Sequence, residues 1–257
     1  MRALSGLAGA LSLGTIMGPA VAPFFLGGGP GLAGPPLAFA LMGCAMLAAI
    51  LFSLPRDVPV AQPRQEGAGS LWRDSALRPL LIHGLVIASA QAINIYTLGF
   101  ALLDSAGAPA AQVQWLIGLA MALGAASSAA AQFWAVRPFG SRSRAMLHIG
   151  AGVVMAGNLV AILPLGTWIV IAGFVLASFG YGLARPGFAA TASLAVGPER
   201  QGEVAGAVSS IAGASIAVPP IIAVALYQYW WSAPFLICAA SAAWVTFSNW
   251  RMFPWSD

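Results

Sequence analysis

Lysine is absent from this sequence, and charge of either sign is scarce: eleven arginines and seven acidic residues make up 7% of 257 positions. A soluble domain carries about 25% charged residues. So little charge cannot cover a surface facing water, and the 60% hydrophobic content and mean hydropathy of +0.86 point the same way. The chain reads as a polytopic membrane protein in contact with a lipid bilayer. A formal charge of +4 and a pI near 9.7 would suggest nucleic acid in a soluble protein. Without lysine there is no solvated polybasic patch, and nucleic acid is set aside as a partner.

Cysteine is almost as rare. Cys44 and Cys238 both fall inside apolar stretches, too far apart in sequence to read as a disulfide framework or a metal site. They are expected to be buried free thiols, and no metal or cofactor is expected. Carboxylates avoid the apolar runs: Asp104 stands at the outer edge of one and Glu203 at the inner edge of another, and the remaining acids lie in linkers or at the C-terminus. No histidine–acid cluster or activated nucleophile stands near the end of a run, which argues against an enzyme. A phosphate-binding glycine loop ending in Gly-Lys-Ser/Thr is also lacking, so a pump permease would need a partner ATPase.

What the sequence has in abundance is long apolar stretches. A helix needs about 20 mostly apolar residues to cross about 30 Å of hydrocarbon. Eight stretches qualify, at approximately 3–26, 32–54, 79–103, 111–134, 145–163, 167–195, 204–226 and 231–250. The alternating polarity of membrane β-strands is not seen. The expected fold is an all-α bundle of about eight transmembrane helices.

The arginines orient it. Arg2 precedes the first span, and Arg56, Arg64, Arg73 and Arg78 lie between the second and third. Arg137, Arg142 and Arg144 follow the fourth, Arg200 follows the sixth, and Arg251 follows the last. The alternate connections (GGGPGLAGPP, DSAGAPAAQ, LPLG and YQYWW) hold no basic residue. By the positive-inside rule both termini and the arginine-bearing loops are cytoplasmic. A cleaved secretory signal ending at Ala22 is a rival for the first span, although the apolar run continues to Phe25 and Pro23 would follow the cut.

Several features inside the spans invite a functional reading. GTIMGPAVAP carries Gly14 and Gly18 one helical turn apart and then Pro19. Small residues at that spacing let membrane helices approach closely, and proline bends the helix. A shift of 200 positions lays this first span on the seventh, with Gly6 on Gly206, Ile16 on Ile216 and Pro19 on Pro219. Transporters are often built from such duplicated halves. The third span carries His83, Gln91 and Asn94 at helical spacing, a polar stripe that either lines a cavity or bonds to a neighbouring helix. Arg185, before Pro186, lies deep in the sixth span, where it either faces a substrate or carboxylate or snorkels to the interface.

With these stretches in view the chain resembles the major facilitator superfamily, and within it the drug–proton antiporters of the tetracycline-exporter type. GTIMGPAVAP looks like the antiporter motif G-x-x-x-G-P-x-x-G-G of family helix five, matched by Gly14, Gly18 and Pro19, with Ala22 and Pro23 in place of the final glycines. GYGLARPGFAATASLAVGPERQGEVAGAVSS is similar to the region from helix ten into helix eleven, and PRDVPVAQPRQEGAGSLWRDSALR stands where the central linker is expected. The resemblance implies that residues 1–54 are the last two helices of an N-terminal half, 55–78 a cytoplasmic linker and 79–257 a C-terminal six-helix bundle. Four helices would then be missing ahead of Met1. It also implies export of a small molecule against protons by alternating access, at a bacterial inner membrane. A metabolite exporter or an uptake permease of the same superfamily is the alternative within transport. The loop AVRPFGSRSRA, with Arg137, Gly140, Arg142 and Arg144, sits where a degenerate cytoplasmic gate motif is expected, but it lacks an acidic residue.

Overall fold

The computed structural model describes residues 34–53, 71–75, 77–107, 109–135 and 142–248. The first expected span, 3–26, lies outside them, as does most of the linker. Within lipid no water can satisfy backbone polar groups, so apolar runs of this length close their hydrogen bonds internally as helices. Those helices are α1 (Gly34–Ser53), α2 (Arg78–Ala106), α3 (Ala110–Ala130), α4 (Ser143–Ala161), α5 (Thr167–Leu194), α6 (Gln201–Ala217), α7 (Pro219–Tyr229) and α8 (Ala233–Ser248). Among the described residues five spans are long and apolar enough to cross a membrane, with α6 and α7 counted as one. Each expected span from the second to the eighth has its helix, with ends shifted by a few residues.

The seventh span is broken where sequence reading drew it unbroken. Pro219 and Pro220 have no N–H to give the carbonyls of Ser215 and Ile216, so α6 stops at Ala217 and α7 starts at Pro219. Pro186, a single proline, is instead held inside the continuous helix α5.

Helices α2 to α8 pack on one another, with α4 and α5 in closest contact. Their seam is made of small residues seven apart: Ser143, Gly150 and Gly157 on α4 face Gly187, Gly180 and Gly173 on α5, in antiparallel order. A methyl group added to Gly150 would lie 2.6 Å from the Ala184 backbone nitrogen, and one on Gly180 would lie 2.6 Å from the Gly150 carbonyl oxygen. Backbone therefore rests on backbone, the arrangement that small residues permit in lipid. By contrast α1 keeps its described side chains exposed, apart from the half-buried Ala48. Cys44 on α1 is accordingly exposed, against the expectation of a buried thiol, whereas Cys238 on α8 is fully buried.

The apolar core is divided in two along the bundle. One cluster holds Leu81, Ile87, Ile93, Leu147, Val154, Ala177 and Phe188; the other holds Leu98, Leu102, Val113, Ala161, Val170, Phe174 and Phe235. The division falls between Ile93 and Leu98 on α2, Val154 and Ala161 on α4, and Phe174 and Ala177 on α5.

Candidate functional site

Polar side chains occupy that division. Asn94 and Thr97 on α2, Asn158 on α4 and Ser178 on α5 are all buried there. Thr97, Asn158 and Ser178 each donate to a carbonyl one turn back on their own helix, those of Ile93, Val154 and Phe174. Such local bonds satisfy a donor without tying helices together. Asn94 Nδ2 instead reaches across to α5 and donates to the Tyr181 hydroxyl at 3.1 Å. Asn158 borders the same hydroxyl from α4. The side-chain carbonyl oxygens of Asn94 and Asn158 are buried without a hydrogen-bond partner. Buried polar atoms are nearly always paired, so two unpaired ones around one phenol mark this layer as unusual.

One turn nearer the arginine-bearing end, Arg185 on α5 donates from Nη1 to Gln91 Oε1 on α2 at 3.2 Å. Arg185 is the accessible member of this rung and Gln91 is half-buried. The two rungs, Asn94–Tyr181 and Gln91–Arg185, follow from spacing alone: Tyr181 and Arg185 are one helical turn apart, as are Gln91 and Asn94. The arrangement sets an accessible cation beside hydrogen-bonding amides at mid-depth, a surface able to contact a polar or anionic group.

His83 does not join this rung. It is 1% exposed, its Nε2 lies 2.9 Å from the Ser248 hydroxyl, and its ring meets that of Trp244 at 4.9 Å between centroids. His148 on α4 lies 3.1 Å from the Val245 carbonyl through Nδ1. Both histidines of the chain thus hold α8. Arg142 and Arg144 stand exposed at the start of α4, while Arg137, Gly140, Gly14, Gly18 and Pro19 lie outside the described residues. Near the same end Arg200 bridges Asp74 at 3.4 Å and Glu203 at 3.2 Å, linking the segment ahead of α2 to the base of α6. No group of three His, Cys, Asp or Glu side chains is placed to hold a metal ion among the described residues.

Sequence reasoning passed over Tyr181 and Asn158. The signal for Asn158 was there, a lone amide in AGVVMAGNLV, since a polar residue in a membrane span is a functional candidate by default.

A bundle of apolar helices with a polar layer across its middle suits many membrane proteins, so family membership has to come from comparison. A family model described as Major Facilitator Superfamily matches residues 1–211, and a second, overlapping match covers residues 80–254. The chain belongs to the major facilitator superfamily. It is therefore an integral membrane protein of a transporter family, and the polar rungs lie within a facilitator helix bundle. A comparison with curated proteins returned no match.

Proposed function

We propose that this facilitator exports small amphipathic molecules in exchange for protons, by alternating access, across a bacterial inner membrane with both termini cytoplasmic. In this reading residues 1–54 close an N-terminal half, 55–78 are the linker, and α2 to α8 belong to the C-terminal bundle. The observation that carries the transport reading is the Gln91–Arg185 rung, an accessible cation held at mid-depth where an unused charge would be costly. Export by antiport draws its support from the resemblance of GTIMGPAVAP to the antiporter motif.

Everted membrane vesicles carrying the active transporter test both parts. Substitution Arg185→Ala should abolish substrate uptake into such vesicles while the protein still inserts in the membrane; unchanged uptake would overturn the role of Arg185. Adding substrate to vesicles energised with an acid interior should release protons. Transport without proton movement would overturn antiport.

A further inference from the structure

At the end of the bundle away from Arg78, Arg142, Arg144 and Arg200, the ends of α2, α5 and α7 and the connection between α4 and α5 line an open-sided cavity of about 400 Å³. Its volume falls in the range of small-molecule sites, about 300–1,000 Å³. Asp104, Tyr227, Trp231, Leu163 and Val170 line it. The Tyr227 hydroxyl donates to Asp104 Oδ2 at 2.7 Å, and the Tyr227 ring is held by Phe100 at 5.8 Å between centroids. A phenol orients a carboxylate but does not neutralise it. No basic side chain does so either: none pairs with Asp104 among the described residues, and the connections DSAGAPAAQ, LPLG and YQYWW contain none.

The cavity therefore combines one oriented negative charge, an indole and an apolar wall. Each part selects for the same ligand chemistry. The carboxylate attracts a cation and repels an anion. Trp231 adds an indole, a ring system that favours a weakly hydrated cation. Leu163 and Val170 cover hydrocarbon. A bare divalent metal is poorly served, because calcium takes six or more oxygen ligands and magnesium demands near-ideal octahedral geometry. We propose that this outer-end cavity binds amphipathic organic cations, with Asp104 as the counter-ion and Trp231 as the aromatic wall. Its role as the station from which substrate leaves rests on the export reading; binding itself does not.

The full chain, purified into lipid nanodiscs, can be titrated with radiolabelled benzyltrimethylammonium. A quaternary ammonium cannot donate an N–H hydrogen bond, so its recognition depends on charge and ring contact. Saturable binding that neopentylbenzene, the neutral carbon isostere, fails to displace is the expected result. Asp104→Asn should weaken binding by about fivefold or more, whereas Asp104→Glu should retain it. Equal binding by Asp104→Asn, or equal displacement by the isostere, would overturn the site. The isostere arm uses the unaltered protein and needs no variant to fold. Efflux of the same cation from cells separates the two readings. Asp104-dependent binding without efflux removes the export reading and keeps the site; efflux with binding indifferent to Asp104 removes the site and keeps export.

Discussion

Asn94, Tyr181 and Asn158 meet on three different helices, and Asn94 Nδ2 donates to the Tyr181 hydroxyl across two of them. Interhelical hydrogen bonds in membranes contribute about 0.6 kcal/mol on average and at most about 1.7. A double-mutant cycle of Asn94→Ala and Tyr181→Phe should therefore show a coupling of roughly 0.6–1.7 kcal/mol in unfolding from detergent micelles. Additive losses would mean that the pair does not interact. The stripe that includes Asn94 is legible in sequence because His83, Gln91 and Asn94 are polar residues at helical spacing in an apolar run. Its partners are not legible. His83 and Gln91 are about 12 Å apart along the axis, far enough for the neighbour to change from α8 to α5. Spacing gives a face, but which helix covers that face at each depth is a property of the packing.

Among the elements, the α4–α5 seam makes the sharpest demand on sequence. Gly157 packs against the backbone of Gly173 and Ala177, so Gly157→Leu must push the helices apart and should cost about 2 kcal/mol or more. Gly213 on α6 has open space where a Cβ would stand, and Gly213→Ala should leave stability unchanged or raise it by up to about 1 kcal/mol. Thermal unfolding of the purified variants checks the contrast, and equal effects at the two glycines would refute it. Span positions were legible because hydropathy alone dictates them in lipid. The break at Val218 was also encoded, in two adjacent prolines, but a count of apolar residues runs straight through it. The seam's seven-residue spacing lay open in Gly150, Gly157, Gly173, Gly180 and Gly187, unlike the facing of one set on the other.

For the whole molecule, Arg73, Arg78, Arg142, Arg144 and Arg200 gather toward one end of the bundle and Asp104 stands at the other, which fits cytoplasmic arginine-bearing loops under the positive-inside rule. Labelling can test the orientation. After Cys44→Ala and Cys238→Ala remove both native thiols, Leu165→Cys should react with a membrane-impermeant maleimide in intact cells. Leu165 is 70% exposed in the short connection between α4 and α5. Ser75→Cys, exposed just ahead of α2, should react only after permeabilisation. The reverse pattern would invert the topology.

The glycine seam also bears on the order in which this molecule is assembled. Glycine ordinarily weakens a helix in water by roughly 0.5–1 kcal/mol, because it has the most backbone freedom to lose. In a bilayer the helices are formed by insertion before they associate, so that loss has already occurred when α4 meets α5. Where glycine meets glycine, their contact freezes few side-chain rotamers, since backbone rests on backbone there. Joined by a connection of five residues, 162–166, the two helices can close as a hairpin soon after both are inserted. In the finished bundle α2 and α3 pack on α5, and α8 packs on α4.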